Sequence, residues 1–123
     1  MTNSSAPRYE PDCIFCKVGS GELRSRPAYR DARIVAIEDI NPQAPAHLLV
    51  MPVEHYTTLG ELIDAGDSAL VTGLFETAAR LGRERGGERG FRLVVNTGSE
   101  GGQTVGHVHV HVLAGRHMTW PPG

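Results

Sequence analysis

The chain has 123 residues and a formal net charge of −2, enough for one domain with a sizeable core and too little for two. It lacks the bulk basic character of a nucleic-acid partner and any run of about 18 apolar residues that would read as a membrane span. The start, Met1-Thr2-Asn3-Ser4-Ser5-Ala6-Pro7, has neither the basic nor the apolar stretch of a signal peptide. That is the pattern of a cytoplasmic protein, in which two cysteines are better read as ligands or redox groups than as a disulfide.

Residues 1–11 are polar and carry Pro7 and Pro11. They read as a mobile tail ahead of a single domain over 12–123. The run Asp12-Cys13-Ile14-Phe15-Cys16-Lys17-Val18 predicts a short helix capped by Asp12 and ended near Gly19-Ser20-Gly21. Its Cys-x-x-Cys pair has two common meanings. A thioredoxin-like redox motif follows a strand, and only the tail precedes Cys13. Half of a zinc site is the better reading, with two further ligands to be found elsewhere.

Strands are predicted at Ala28–Arg30, Ile34–Glu38 and Ala46–Met51. A loop fixed by Pro42 and Pro45 joins the last two. Ile34, Ala36 and Glu38 share one face of the second strand, Val35 and Ile37 the other. His47 opens the third strand and His55 follows it, so both can approach neighbouring strands. Asp67 to Arg85 is the one long helix: Leu70, Val71, Leu74, Phe75, Ala78 and Leu81 recur every three or four residues. Gly86-Gly87 ends it. Its arginines read as a solvated face.

A fourth strand is predicted over Phe91–Asn96, followed by Thr97–Gly106, a connection with four glycines. Such a turn is either a plain hairpin loop or a backbone nest for an anion. It has no Lys and no following helix, so it is not a Walker loop. Asn96, Gln103 and Thr104 add neutral hydrogen-bonding groups suited to a single phosphate.

Then comes His107-Val108-His109-Val110-His111-Val112. Strict alternation predicts a fifth strand with three valines on one face and three histidines on the other. Three same-face imidazoles span about 13 Å at a strand's rise, so they can hardly share one ion. One end can join the cysteine pair and leave the rest for catalysis. A neutral imidazole is a competent nucleophile at phosphorus, and His109 is best placed to face an anion held by the glycine-rich turn. The chain closes with Trp120-Pro121-Pro122-Gly123, a stiff end that presents the only tryptophan to a surface, either its own or that of a second subunit.

The His-x-His-x-His-x run with apolar x resembles the signature of the histidine triad superfamily. Asp39-Ile40-Asn41-Pro42-Gln43-Ala44-Pro45-Ala46-His47, Val94-Val95-Asn96, Gly101-Gly102-Gln103-Thr104 and the terminal Trp-Pro-Pro-Gly resemble its histidine triad nucleotide-binding protein branch. The resemblance implies an α+β fold: a five-stranded antiparallel sheet with one long and one short helix. It implies a hydrolase that cleaves the P–N bond of purine nucleoside 5′-phosphoramidates.

By that resemblance His109 is the nucleophile. His47 and His111 contact the phosphate or position His109. Asn96, Gly102, Gln103 and Thr104 line the phosphate site, and Asp39 binds the ribose. Phe15, Ile37 and Ile40 form the base pocket. A homodimer is implied, with Trp120 approaching the partner's site. Many branch members carry Ser where Thr104 stands, a hydroxyl thought to help protonate the leaving amine. Vertebrate-type members lack the cysteine pair. Bacterial-type and galactose-1-phosphate uridylyltransferase relatives bind zinc through such a pair, a downstream His and the first His of the triad. Here those are Cys13, Cys16, His55 and His107, holding one structural zinc. The rival readings are a dinucleoside polyphosphate hydrolase of the same superfamily, against which the Trp-Pro-Pro-Gly end argues, and a nucleotide-binding scaffold with incidental hydrolysis.

Overall fold

A computed structural model describes residues 8–22 and 27–123. The elements in chain order are α1 (Ile14–Ser20), β1 (Tyr29–Arg30), β2 (Ile34–Glu38), β3 (Ala46–Pro52), α2 (Leu59–Asp64), α3 (Ser68–Gly86), a 3₁₀ turn (Gly87–Arg89), β4 (Phe91–Val94) and β5 (Val110–Ala114). The five strands form one antiparallel sheet in the order β1-β2-β3-β5-β4. The α+β architecture expected from the sequence is the one observed.

The sheet is covered on both faces, and alternation assigns each residue to one of them. Ile34, Ala36, Leu48, Val50, Val110 and Val112 pack against Leu70, Leu74, Ala78 and Leu81 of α3. On the opposite face Val35, Leu49 and Met51 pack against Phe15 and Val18 of α1. Strand β3 lies at the centre and is buried along its whole length, which explains its near-continuous apolar run. Each fully buried Leu or Val contributes about 1.5–3 kcal/mol relative to exposure. Helix α3 approaches β4 closely at Gly82, where a Cβ would stand 2.4 Å from the Phe91 ring; the glycine is what permits that contact.

Several boundaries differ from the sequence reading. The cap of α1 is Cys13, not Asp12: Cys13 has the extended backbone of an N-cap, and its sulfur accepts the N–H of Cys16. Helix α2 was not predicted. Thr58 caps it by accepting the N–H of Glu61. The fourth strand stops at Val94 rather than Asn96. Strand β5 begins at Val110, so His107 and His109 precede the ladder. There Val108 N–H is taken by Tyr56 O instead of by a strand partner.

The expected tail divides in two. Residues 1–7 lie outside the described residues. Arg8 to Glu10, although exposed, are hydrogen-bonded to His55, Cys13 and Cys16 rather than loose. Among the described residues no helix is long and apolar enough to cross a membrane.

Candidate metal centre and nucleotide cleft

The donor atoms of Cys13, Cys16, His55 and His107 lie within 4.8 Å of one another. The N-terminus of α1 contributes the two sulfurs: Cys13 caps the helix, and its sulfur accepts the N–H of Cys16 in the first turn, which sets the two side chains together. His55 arrives from the turn after β3, and His107 from the approach to β5. A tetrahedral zinc with bonds of about 2.3 Å to sulfur and about 2.05 Å to nitrogen sets a sulfur–nitrogen edge of about 3.6 Å. The observed separations are 3.3 Å (Cys13 to His107), 3.3 Å (Cys16 to His55) and 3.6 Å (Cys16 to His107).

The tautomer of His107 also fits a metal. Its Nε2 lies 2.8 Å from the Pro52 carbonyl. A carbonyl only accepts, so the proton sits on Nε2 and the Nδ1 lone pair faces the sulfurs. Burial lowers its pKa from 6.5 to about 4 and keeps it neutral, as a ligand must be. Burial pushes the Cys16 thiol up to about 11, so a nearby cation is what would make it a thiolate. Two sulfurs and two imidazoles suit a four-coordinate zinc-type ion and leave no open position for substrate.

His107 also reaches the second site. Its backbone carbonyl lies 2.8 Å from Nδ1 of His109. His109 therefore carries its proton on Nδ1 and keeps the Nε2 lone pair free. Burial lowers its pKa, only partly offset by that hydrogen bond. Phe15 holds the ring from the side, edge-on at 5.1 Å between centroids.

A similar argument fixes the other two imidazoles. The N–H of Gln43 donates to Nδ1 of His47 at 3.0 Å, so His47 carries its proton on Nε2. That atom lies 2.9 Å from Nδ1 of His111, which must accept. His111 is left with an N–H at Nε2. Burial, then the neighbouring His109 and His47, lower its pKa to about 4. Asp39, His47 and His111 also bring donor atoms within 4.8 Å, yet the Nε2–H of His47 points toward His111, 2.9 Å away, and toward the Asp39 carboxylate, 3.4 Å away, where a metal would need a lone pair.

The cleft beside these histidines has a volume of about 590 Å³. Of the residues picked out in the sequence, Phe15, Ile37, Asp39, Ile40, Thr104, His109 and His111 line it. His47 is buried behind His111 and touches it rather than His109. Ile40 is 100% exposed on the rim. Val18, Leu49 and Val105 line the wall and were not foreseen. Leu49 was legible, since it shares a strand face with His47.

Asn96, Gly102, Gln103 and Trp120 are not among the lining residues. Gln103 instead braces the loop. Its amide donates to Thr57 O at 2.7 Å and Val105 O at 3.0 Å, and accepts Gly98 N–H at 3.1 Å. The N–H groups of Gly102 and Gln103 bond Ser99 O and Gly98 O. Three amides of the expected anion nest are thus satisfied within the loop itself. Trp120 is 81% exposed, uncovered by the other described residues.

The HIT domain family model matches residues 20–118. The chain belongs to the HIT domain family. It is 40% identical over 114 residues to a 14 kDa zinc-binding protein of Brassica juncea, covering 91% of this chain and all of that one. Among solved structures it resembles a HIT family hydrolase from Legionella pneumophila, with a TM-score of 0.86 and 45% identity, covering 91% of this chain and 100% of the other. A zinc-bound histidine triad family protein from Mycobacterium smegmatis aligns with a TM-score of 0.72 and 31% identity, covering 86% of this HIT domain chain and 76% of that one.

Proposed function

We propose that this HIT domain protein is a nucleoside phosphoramidase of the histidine triad nucleotide-binding protein branch, hydrolysing purine nucleoside 5′-phosphoramidates. The observation that carries the reading is the ordering of the imidazoles. His109 has its Nε2 lone pair free beside the cleft, and His111 has an N–H left to donate.

Nε2 of His109 attacks the α-phosphorus. The new P–N bond to His109 forms as the P–N bond to the amine breaks, and the amine departs with a proton. Thr104, which lines the cleft, supplies the hydroxyl that fits that role by resemblance. The His111 N–H donates to a non-bridging oxygen and stabilises the charge developing there. Water then attacks phosphorus as the P–N bond to His109 breaks; the proton water gives up replaces the one the amine took, and the nucleoside monophosphate leaves with His109 neutral again.

Asp39 holds the ribose, and Phe15, Ile37 and Ile40 hold the base. Asn96, Gly102 and Gln103 shape the phosphate loop, Gln103 from behind. Cys13, Cys16, His55 and His107 hold one zinc, whose chemistry is structural because the protein fills all four positions. The Brassica and Mycobacterium relatives, each described as zinc-binding or zinc-bound, support that choice of metal. The active form is a homodimer in which Trp120 reaches toward the partner's cleft.

The test is a side-by-side turnover assay with AMP phosphoramidates and diadenosine polyphosphates. The phosphoramidates should be turned over much the faster. The reverse order would make the chain a dinucleoside polyphosphate hydrolase, and binding without turnover of either would make it a nucleotide-binding scaffold.

A further inference from the structure

The short segment ahead of the cysteine pair touches both halves of the ligand set. The carbonyl of Arg8 accepts the N–H of His55 at 2.7 Å, and Nε of Arg8 donates to the His55 carbonyl at 2.6 Å. One residue thus holds the backbone of His55 on both sides. The guanidinium lies 4.2 Å over the ring of Tyr56, the next residue. Its Nη2 is 3.5 Å from Glu61, whose carboxylate accepts the N–H of Thr57. Two residues after Arg8, Glu10 N–H donates to Sγ of Cys16 at 3.4 Å, and Glu10 O accepts Cys13 N–H at 3.0 Å.

His55 and the cysteine helix are 39 residues apart in the chain, and the Arg8–Glu10 segment ties the two together. We propose that Arg8 is a positioning residue for the metal centre, fixing His55 against Cys16 and carrying the Glu10 amide onto the Cys16 sulfur. This rests on the zinc reading above. The physical reasons are two. A ligand whose backbone is clamped loses little freedom when it binds, and an N–H aimed at the Cys16 sulfur holds that side chain in the orientation that faces His55 and His107. The clamp needs arginine in particular: Nε–H and the planar face act at once, and lysine has neither.

Zinc-loaded wild type, Arg8→Ala and Arg8→Lys are mixed with excess chromogenic chelator, and zinc release is followed. Arg8→Ala should bind zinc about 10- to 100-fold more weakly, the usual effect of losing an outer partner of a ligand, and release it faster in proportion. Arg8→Lys should resemble Ala. A merely structural Arg8 would lower the unfolding temperatures of zinc-free and zinc-loaded protein equally; the proposal expects the zinc-induced increment itself to shrink. In wild type, amide exchange at Glu10 and His55 should slow when zinc is added, a readout that needs no variant to fold. Unchanged release and an unchanged increment overturn the proposal, as does exchange at Glu10 and His55 that ignores zinc. Wild type that holds no zinc overturns the metal reading itself, a separate and recognisable result.

Discussion

Replacing His111 tests whether the imidazole beside the nucleophile works as a neutral hydrogen-bond donor or as a cation. Gln43 N–H orders His47, His47 orders His111, and the Nε2–H of His111 is left for the phosphate. Burial and the imidazoles around it hold His111 near pKa 4, so it is neutral at pH 7. His111→Ala removes the donor altogether. Loss of one such preorganised donor costs about 2.7–4 kcal/mol of transition-state stabilisation, or about 10²–10³ in kcat. KM should change much less, because Phe15, Ile37 and Leu49 still form the apolar wall of the cleft and the lost interaction belongs to the transition state. His111→Gln places a neutral N–H close to where Nε2 stood and should recover most of the loss. The assay is steady-state turnover of an AMP phosphoramidate by the three proteins. If His111→Gln is as slow as His111→Ala, His111 acts through charge or proton transfer, and the tautomer argument is wrong.

Further outcomes follow from the same geometry. Cys13→Ser should take bound zinc from one per chain to none. Where free zinc stands about a thousandfold above its Kd, the lost linkage is about 4 kcal/mol of stability, visible in thermal unfolding; retention of one zinc would refute the ligand set. Burial lowers the pKa of His109 and keeps the nucleophile neutral, so kcat of zinc-saturated protein should stay level as the pH falls through 6.5 and decline only below it. Stability should fall as the pH drops from about 6.5 toward 4: an unfolded histidine binds its proton near pH 6.5, whereas folded His111 resists until about 4, so the unfolded state gains the proton first. An inflection in kcat at 6.5 would contradict this. Light scattering should give a dimer, and Trp120→Ala should raise KM severalfold; a monomer at all working concentrations would remove Trp120 from the partner's cleft.

Much of the fold was legible because its periods are strong. Strand β2 is a short apolar run set between the Asp31-Ala32 turn and the Asp39 loop, so its bounds were read to the residue, and α3 differs by one residue at each end. The short pieces were harder. Helix α2 spans six residues, too few for a periodic stripe. Its signal was local: Thr58 and Glu61 stand three apart, as in a capping box. Cysteine is not a usual cap, so Asp12 drew the assignment that belongs to Cys13. Strand spacing required the three histidines to divide their roles, and the family resemblance supplied which role falls to which. What spacing does not carry is which ring nitrogen is free. That depends on Pro52 O, His107 O and Gln43 N–H, backbone groups whose direction exists only in the folded chain. The direction of the Gln103 amide was hidden for the same reason. Its type said donor, but its three loop hydrogen bonds decide where the donors point.

The central claim is that Nε2 of His109 attacks phosphorus. The direct measurement is a single-turnover reaction with an AMP phosphoramidate, quenched in alkali to preserve the acid-labile phosphorus–histidine bond and analysed by peptide mass spectrometry. One nucleotidyl group should appear on the peptide carrying His109, at His109, and decay as AMP is released; His109→Ala should neither form it nor turn over substrate. Turnover at a near-normal rate by His109→Ala, or an adduct on another residue, would contradict the account.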